Sequence, residues 1–382
     1  MHYYLHAAKF ILASGLAENG YLEVKDGKFG RYTPDRPVEG QIIDLGQQIV
    51  APGLVDTHIH GYDDHDVMDH DFAGLNAISQ GLLSCGVTSF LPTTLTAGTE
   101  TLTETCQLIS SRYQDVTGAR IKGIFFEGPF FTTEHKGAQN PEYMGDPDLE
   151  TFDRWQTAAQ GMLKKIAVAP ERAGTAEFIE KVSQSGVKVG LGHSSATYEQ
   201  GLAAVYEGAS IFVHTFNGMS GLSHHAPGLV GAAMSTPNTF AELICDGHHV
   251  EPGAANLLIA EKGSDKIALV TDCMSAGGMP EGDYQLGEFP VIVKDGAARL
   301  KDGGSLAGSV LKLIQAVQNL VQWGQVGLYD AFKMASYVPA RSVGIDDECG
   351  LIAAGRTADY IVVDPEIELQ ATYLAGQQVY QR

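Results

Sequence analysis

From Ile49 to Asp272 eight short apolar runs alternate with stretches of helical character: "IVAPGLVDTHIH", "TSFLPTTL", "KGIFFEGP", "KKIAVAPE", "VKVGLGHS", "SIFVHTFN", "FAELICDG" and "KIALVTDC". The connecting stretches, such as "AGLNAISQGLLSCG" and "TYEQGLAAVYEGA", repeat apolar residues at helical spacing and end on glycine. Apolar runs buried on both faces need helices to cover them, and eight such units close on themselves most economically as a barrel. The pattern predicts an α/β fold with a (β/α)8 TIM-like barrel over 51–344.

The ends read differently. Residues 2–48 contain "NGYLEVKDGKFGRY" and "GQIIDLGQQIV", and 351–382 contain "ADYIVVDPEIELQATYLAGQQVYQR", short β-prone pieces around Gly and Asn/Asp turns. Neither end has enough strands to fold alone. Both are therefore expected to pair in one small discontinuous β-sandwich domain, 1–50 plus 345–382. Between barrel and C-terminus, "YQLGEFPVIVKDGAARLKDGG" predicts two extended pieces around Asp295-Gly296, and "GSVLKLIQAVQNLVQWG" and "LYDAFKMASYVPA" predict two more helices.

Barrel chemistry sits at the carboxyl ends of the strands, so what each run ends in is the informative feature. Run one ends in His58 and His60, three in Glu127, five in His193, six in His214 and eight in Asp272. Run seven ends in Asp246, with "GHHV" following. One His-x-His pair is weak evidence, since about 0.4 would arise by chance in a chain with this histidine content. Nothing in barrel packing, however, calls for four histidines and two carboxylates at one rim.

Imidazole nitrogens with carboxylate oxygens suit zinc or a neighbouring transition metal. Five such ligands exceed what one tetrahedral ion requires. Glu127 could therefore bridge two ions, His58 and His60 on one, His193 and His214 on the other. Such a site implies hydrolysis, with Asp272 as the general base and acid and a further place among the metal ligands, and His249 bonding a substrate carbonyl.

Composition excludes several classes. A formal net charge of −21 and the absence of basic stripes disfavour nucleic acid and anionic membranes. Five cysteines, odd in number and without a Cys-x-x-Cys pair, argue against a disulfide framework or a structural zinc. Cys273, beside Asp272, reads as a core residue. The opening "MHYYLHAAKFILASG" lacks a basic leader and cleavage site, so a cytoplasmic protein is expected.

The motifs "VDTHIHG", "EGPF", "GHSSA", "HTFNGM", "DGHHV", "LVTD" and "LAGS", in this order, resemble those of the N-acetylglucosamine-6-phosphate deacetylases of the amidohydrolase superfamily. The resemblance implies hydrolysis of the N-acetyl group of an amino-sugar 6-phosphate to acetate and the free amine. It implies one or two divalent ions per subunit, zinc first, with iron, manganese or cobalt as alternatives, and a homodimer. Glu127, His193 and His214 match the family's main metal ligands, and Asp272 its catalytic acid/base. His249, Asn217 and Gly218 match substrate contacts, and the "LAGS" loop around Leu306 and Ala307 lines the sugar site.

His225 stands where the family commonly has an arginine reaching the phosphate, often across the dimer, and Gln139 stands where some members place a histidine. Arginine is a permanent bidentate donor and histidine is not, so phosphate recognition must be organised differently, through His225, His224 or the amides after Asn217. Alternative substrates are N-acetylgalactosamine 6-phosphate, an unphosphorylated N-acetyl sugar or an N-acylated amino acid. An alternative of another class is a non-catalytic binding protein on the same barrel.

Overall fold

A computed structural model describes residues 1–382. Each of the eight apolar runs supplies one barrel strand: Leu54–Ile59, Val87–Thr94, Ile124–Phe130, Leu163–Val168, Lys188–Leu191, Ile211–Phe212, Phe240–Leu243 and Ile267–Leu269. Neighbours pair in parallel in this order. At the carboxyl rim the ring closes through Asp272 N donating to His58 O at 2.9 Å and His60 N to Cys273 O at 2.8 Å. Toward the other rim Val55 N donates to Ala335 O, beyond the helix Leu328–Met334, so the last strand does not pair along the whole length of the first.

The pleat explains why the runs are apolar on both faces. Alternate residues such as Val55, Leu91, Phe125, Ala167 and Ala268 fill the interior. Their neighbours, including Leu54, Phe90, Ile124 and Ile166, pack outward against the helices in a core of 69 buried residues. The helices are capped from the sequence: Asp71 accepts from Ala73 N and Gly74 N to start Phe72–Gly81, and Thr197 forms a reciprocal capping pair with Gln200 to start Tyr198–Glu207.

The first run is divided. Ile49–Pro52 joins the terminal sheet and Leu54–Ile59 the barrel, with Gly53 between them. A Cβ at Gly53 would lie 2.1 Å from Thr88 Oγ1, so the chain passes too close to the second barrel strand for any side chain.

Strands from both ends form one eight-stranded sheet, in the order Gln377–Gln381, Leu369–Leu374, Tyr360–Val363, Ile49–Pro52, His2–Leu12, Gly15–Lys25 and Lys28–Thr33, with Gln41–Asp44 also paired to His2–Leu12. The sheet is continuous because His2–Leu12 carries Gln41–Asp44 along its first half and Ile49–Pro52 along its second. Its separate core of 15 buried residues includes Tyr3, Leu5, Phe10, Val24 and Tyr360. Tight turns at Asp26-Gly27, both at positive φ, follow the expected Asp-Gly chemistry.

Beyond the barrel two details differ from the pattern. The segment around Asp295-Gly296 has a third strand, Gly282–Leu286, before Phe289–Lys294 and Ala297–Leu300. That strand buries only Leu286, too little apolar alternation to mark it. "LYDAFKMASYVPA" forms two helices, Leu328–Met334 and Tyr337–Val343, broken at Ser336, whose φ of −133° and ψ of −75° leave the helical region.

Candidate metal centre

The rim residues converge. His58 lies within the first barrel strand and His60 just beyond it, so their side chains share a face, and Glu127 lies within the third. His193, His214 and Asp272 each follow the end of a short strand, and all three have left-handed backbones, with φ of 46°, 32° and 51°. Non-glycine residues held there cost on the order of 1–3 kcal/mol each, and such strain concentrates where a site must be presented.

Glu127 stands at the centre. Its Oε1 lies 3.3 Å from His58 Nε2, 3.2 Å from His193 Nε2 and 3.0 Å from His214 Nε2, and its Oε2 lies 3.2 Å from His60 Nε2. Asp272 Oδ1 lies 3.4 Å from His58 Nε2 and 3.1 Å from His60 Nε2. The potential ligand atoms form two compact groups, His58 with His60 and Asp272, and Glu127 with His193 and His214, all six residues buried.

The outward nitrogens decide which atoms face the centre. His193 Nδ1 lies 2.7 Å from His135 O, His214 Nδ1 3.0 Å from Asn217 O and His60 Nδ1 3.2 Å from Thr93 O. Carbonyls only accept, so these Nδ1 atoms carry the proton and each Nε2 presents a lone pair inward. His58 Nδ1 does the same toward Glu242 Oε2 at 3.0 Å. His58 Nε2 is buried and has no hydrogen-bond partner, although two carboxylates stand at ion-pair distance. A buried, unpartnered lone pair beside ionised oxygens is what a divalent cation satisfies, and the donor set fits one.

Burial opposes charge on His58, His60, Glu127 and Asp272, yet mutual attraction prevails. Asp272 and Glu127 lift His58 to about 9 and, with hydrogen bonding, His60 well above its usual range, so at neutral pH their Nε2 lone pairs hold a proton that a cation must displace to bind. The same contacts, His58 foremost, hold Glu127 and Asp272 below the ordinary carboxylate range. Both carboxylates are therefore ionised at neutral pH and available to a cation. Cys273 is buried with its thiol pushed well above normal by that burial, which makes it inert.

A cavity of about 370 Å³ opens over this centre, with His60, Glu127, His193, His214 and Asp272 at its floor. Asn217, Gly218, His249 and Leu306 line its wall. Asp246 Oδ2, 2.6 Å from His249 Nδ1, turns the other ring nitrogen away from itself. Gln139 also lines the cavity, accepting from Thr96 N at 2.7 Å and donating to Glu127 Oε2 at 2.5 Å. Ala307 is buried and does not line it, whereas its neighbour Gly308 does; a Cβ at Gly308 would lie 3.0 Å from Asp272 O. His225 is exposed, away from the cavity of its own chain, with its ring 3.8 Å from that of His224. No lysine or arginine lines the cavity.

Three supporting residues escaped the sequence reading. Lys165 and Glu242, each 0% exposed, form an ion pair inside the barrel beneath His58. Their signal was a charged residue at an inward position of an otherwise apolar run. Glu171 accepts from Thr132 Oγ1, Ser194 Oγ and Ser195 N, tying the loops after the third and fifth strands together. Glu171 carried no distinguishing pattern.

The amidohydrolase family pattern matches residues 49–379. The chain is 38% identical over 364 residues to the N-acetylglucosamine-6-phosphate deacetylase of Vibrio furnissii, covering 95% of this chain and 89% of that one. It is 36% identical over 378 residues to the N-acetylgalactosamine-6-phosphate deacetylase of Escherichia coli O157:H7, covering 99% of both. Among solved structures, a variant N-acetyl-D-glucosamine-6-phosphate deacetylase of Mycobacterium smegmatis in complex with N-acetyl-D-glucosamine-6-phosphate superimposes with a TM-score of 0.95 at 30% identity over the whole of both chains. No helix is long and apolar enough to cross a membrane.

Proposed function

The chain belongs to the amidohydrolase family, and from that membership we propose that it hydrolyses the N-acetyl group of N-acetylglucosamine 6-phosphate to glucosamine 6-phosphate and acetate. The observation that carries this reading is the gathering of Glu127, His193 and His214 with His58, His60 and Asp272 beneath one cavity.

His58, His60 and Asp272 would hold one divalent ion and Glu127, His193 and His214 another, zinc being the first choice for this donor set. When bound there, such an ion polarises the amide carbonyl and makes water a stronger acid. Asp272 takes a proton from the attacking water and returns it to the amide nitrogen as the C–N bond breaks. His249, its ring oriented by Asp246, faces the carbonyl oxygen on which negative charge develops. Gln139 holds the Glu127 carboxylate at Oε2, the oxygen that also faces His60, and the Leu306 loop covers the sugar.

With no lysine or arginine in the cavity, the phosphate is met by the backbone amides after Asn217, beginning with Gly218, and by His225 reaching in from a second copy of this chain. On this reading the protein works as a homodimer, and its place is the cytoplasm, where sugar phosphates are held. The epimeric substrate, N-acetylgalactosamine 6-phosphate, is the second reading, favoured by the full-length relative named for it.

The test is acetate release from both phosphorylated epimers and from unphosphorylated N-acetylglucosamine, after elemental analysis of the same preparation. Release only from the galactosamine compound would move the substrate assignment. A metal-free protein with no amide hydrolysis under any divalent ion would leave the binding-protein alternative standing.

A further inference from the structure

Glu242 lies in the seventh barrel strand and is wholly excluded from solvent, and no step above uses it. One of its oxygens pairs with Lys165 Nζ, from the fourth strand. The other lies 3.0 Å from His58 Nδ1 and accepts from the backbone His214 N–H at 3.2 Å. His58 and His214 belong to different ligand groups, so one carboxylate touches both.

A buried carboxylate needs a counter-charge, and a ligating imidazole needs its other nitrogen fixed, or its lone pair can turn away. Lys165 supplies the first need, with its ammonium also 3.6 Å over the Phe125 ring, and Glu242 supplies the second. His60, His193 and His214 fix their Nδ1 atoms on neutral carbonyls, whereas His58 alone uses an ionised acceptor. We infer that Glu242, with Lys165 as its counter-ion, is a positioning residue that sets the affinity of the His58–His60–Asp272 group for its ion and links that group to the His214 backbone. The inference rests on the metal-centre reading above.

The test compares the zinc-loaded enzyme with the near-isosteric, charge-free variant Lys165→Met/Glu242→Gln, which leaves no buried charge unpaired. Zinc titration with elemental analysis should show two ions per chain in the wild type. In the variant, one of the two ions should be bound at least tenfold less tightly while the other is unchanged. A purely structural pair would lower thermal stability and leave both affinities alone, and that result overturns the inference. A wild type holding one ion overturns it too, whereas a wild type holding none overturns the hydrolase reading itself. Should the variant not fold, nitrogen NMR of the zinc-loaded wild type decides. A slowly exchanging His58 Nδ1–H is expected, and a ring bound through Nδ1 or in fast exchange overturns the assignment.

Discussion

Asp272 Oδ1 stands 3.1 Å from His60 Nε2, and the residue carrying it is held in a left-handed backbone at φ 51°. The Asp272 carbonyl accepts from Ser309 N at 2.7 Å, one residue past Gly308, so the "LAGS" loop and the strained aspartate form one unit.

That geometry makes Asp272→Asn the sharpest test of chemistry. The amide keeps the shape but cannot take a proton from water. The variant should retain the ion held by Glu127, His193 and His214 while kcat falls about 10²- to 10⁴-fold, the usual worth of a positioned acid/base. Single-turnover acetate release with metal analysis checks it, and substantial turnover would remove the assigned role.

His225→Ala addresses the phosphate. If this exposed side chain completes the site of a neighbouring copy, KM for the phosphorylated sugar should rise roughly tenfold, the scale of one hydrogen bond to a charged group, with kcat little changed. KM for the unphosphorylated sugar should stay put. Parallel kinetics on both sugars read the difference.

Lys262 predicts a pH signature away from the site. Its Nζ donates to Thr236 O at 2.8 Å and Thr239 Oγ1 at 2.7 Å, and burial, aided by Lys266, pushes it down to about 8. Below that pH both folded and unfolded states are protonated and the folded state bears the full penalty of a buried charge. As pH rises from about 8 toward the ordinary lysine range, the folded state sheds its proton first, so stability increases with pH across that window. Lys262→Met should flatten this rise relative to the wild type, measured by denaturant unfolding at several pH values.

Gly53→Ala tests the joint between the two sheets. The backbone there accepts alanine, but its Cβ would lie 2.1 Å from Thr88 Oγ1. Overpacking of this kind costs about 1–3 kcal/mol. A lowered thermal midpoint is expected, partly restored by adding Thr88→Ala, and an unchanged midpoint would show that the joint yields freely.

The eight apolar runs and the acids and histidines at their ends were legible because a barrel strand must be apolar on both faces, so any polar residue at its carboxyl end stands out against the run. Glu242 and Lys165 stood inside such runs and were equally visible, but their meaning was not, since a single chain position cannot say which other strand supplies the counter-charge. Gly282–Leu286 was missed because it buries one residue, and the break at Ser336 because both flanking helices share one apolar pattern.

Residue types and their period along the chain are local properties, and they determined on their own the eight barrel strands, the helical cover and which histidines and acids stand at the strand ends. Distances between strands are not local. Only the closed ring brought Glu127 within reach of four histidines, turned the Nε2 atoms of His58, His60 and His193 inward through partners elsewhere in the chain, and left His225 outside its own cavity. Each of those outcomes depends on how separate segments pack against one another, which composition and spacing do not encode.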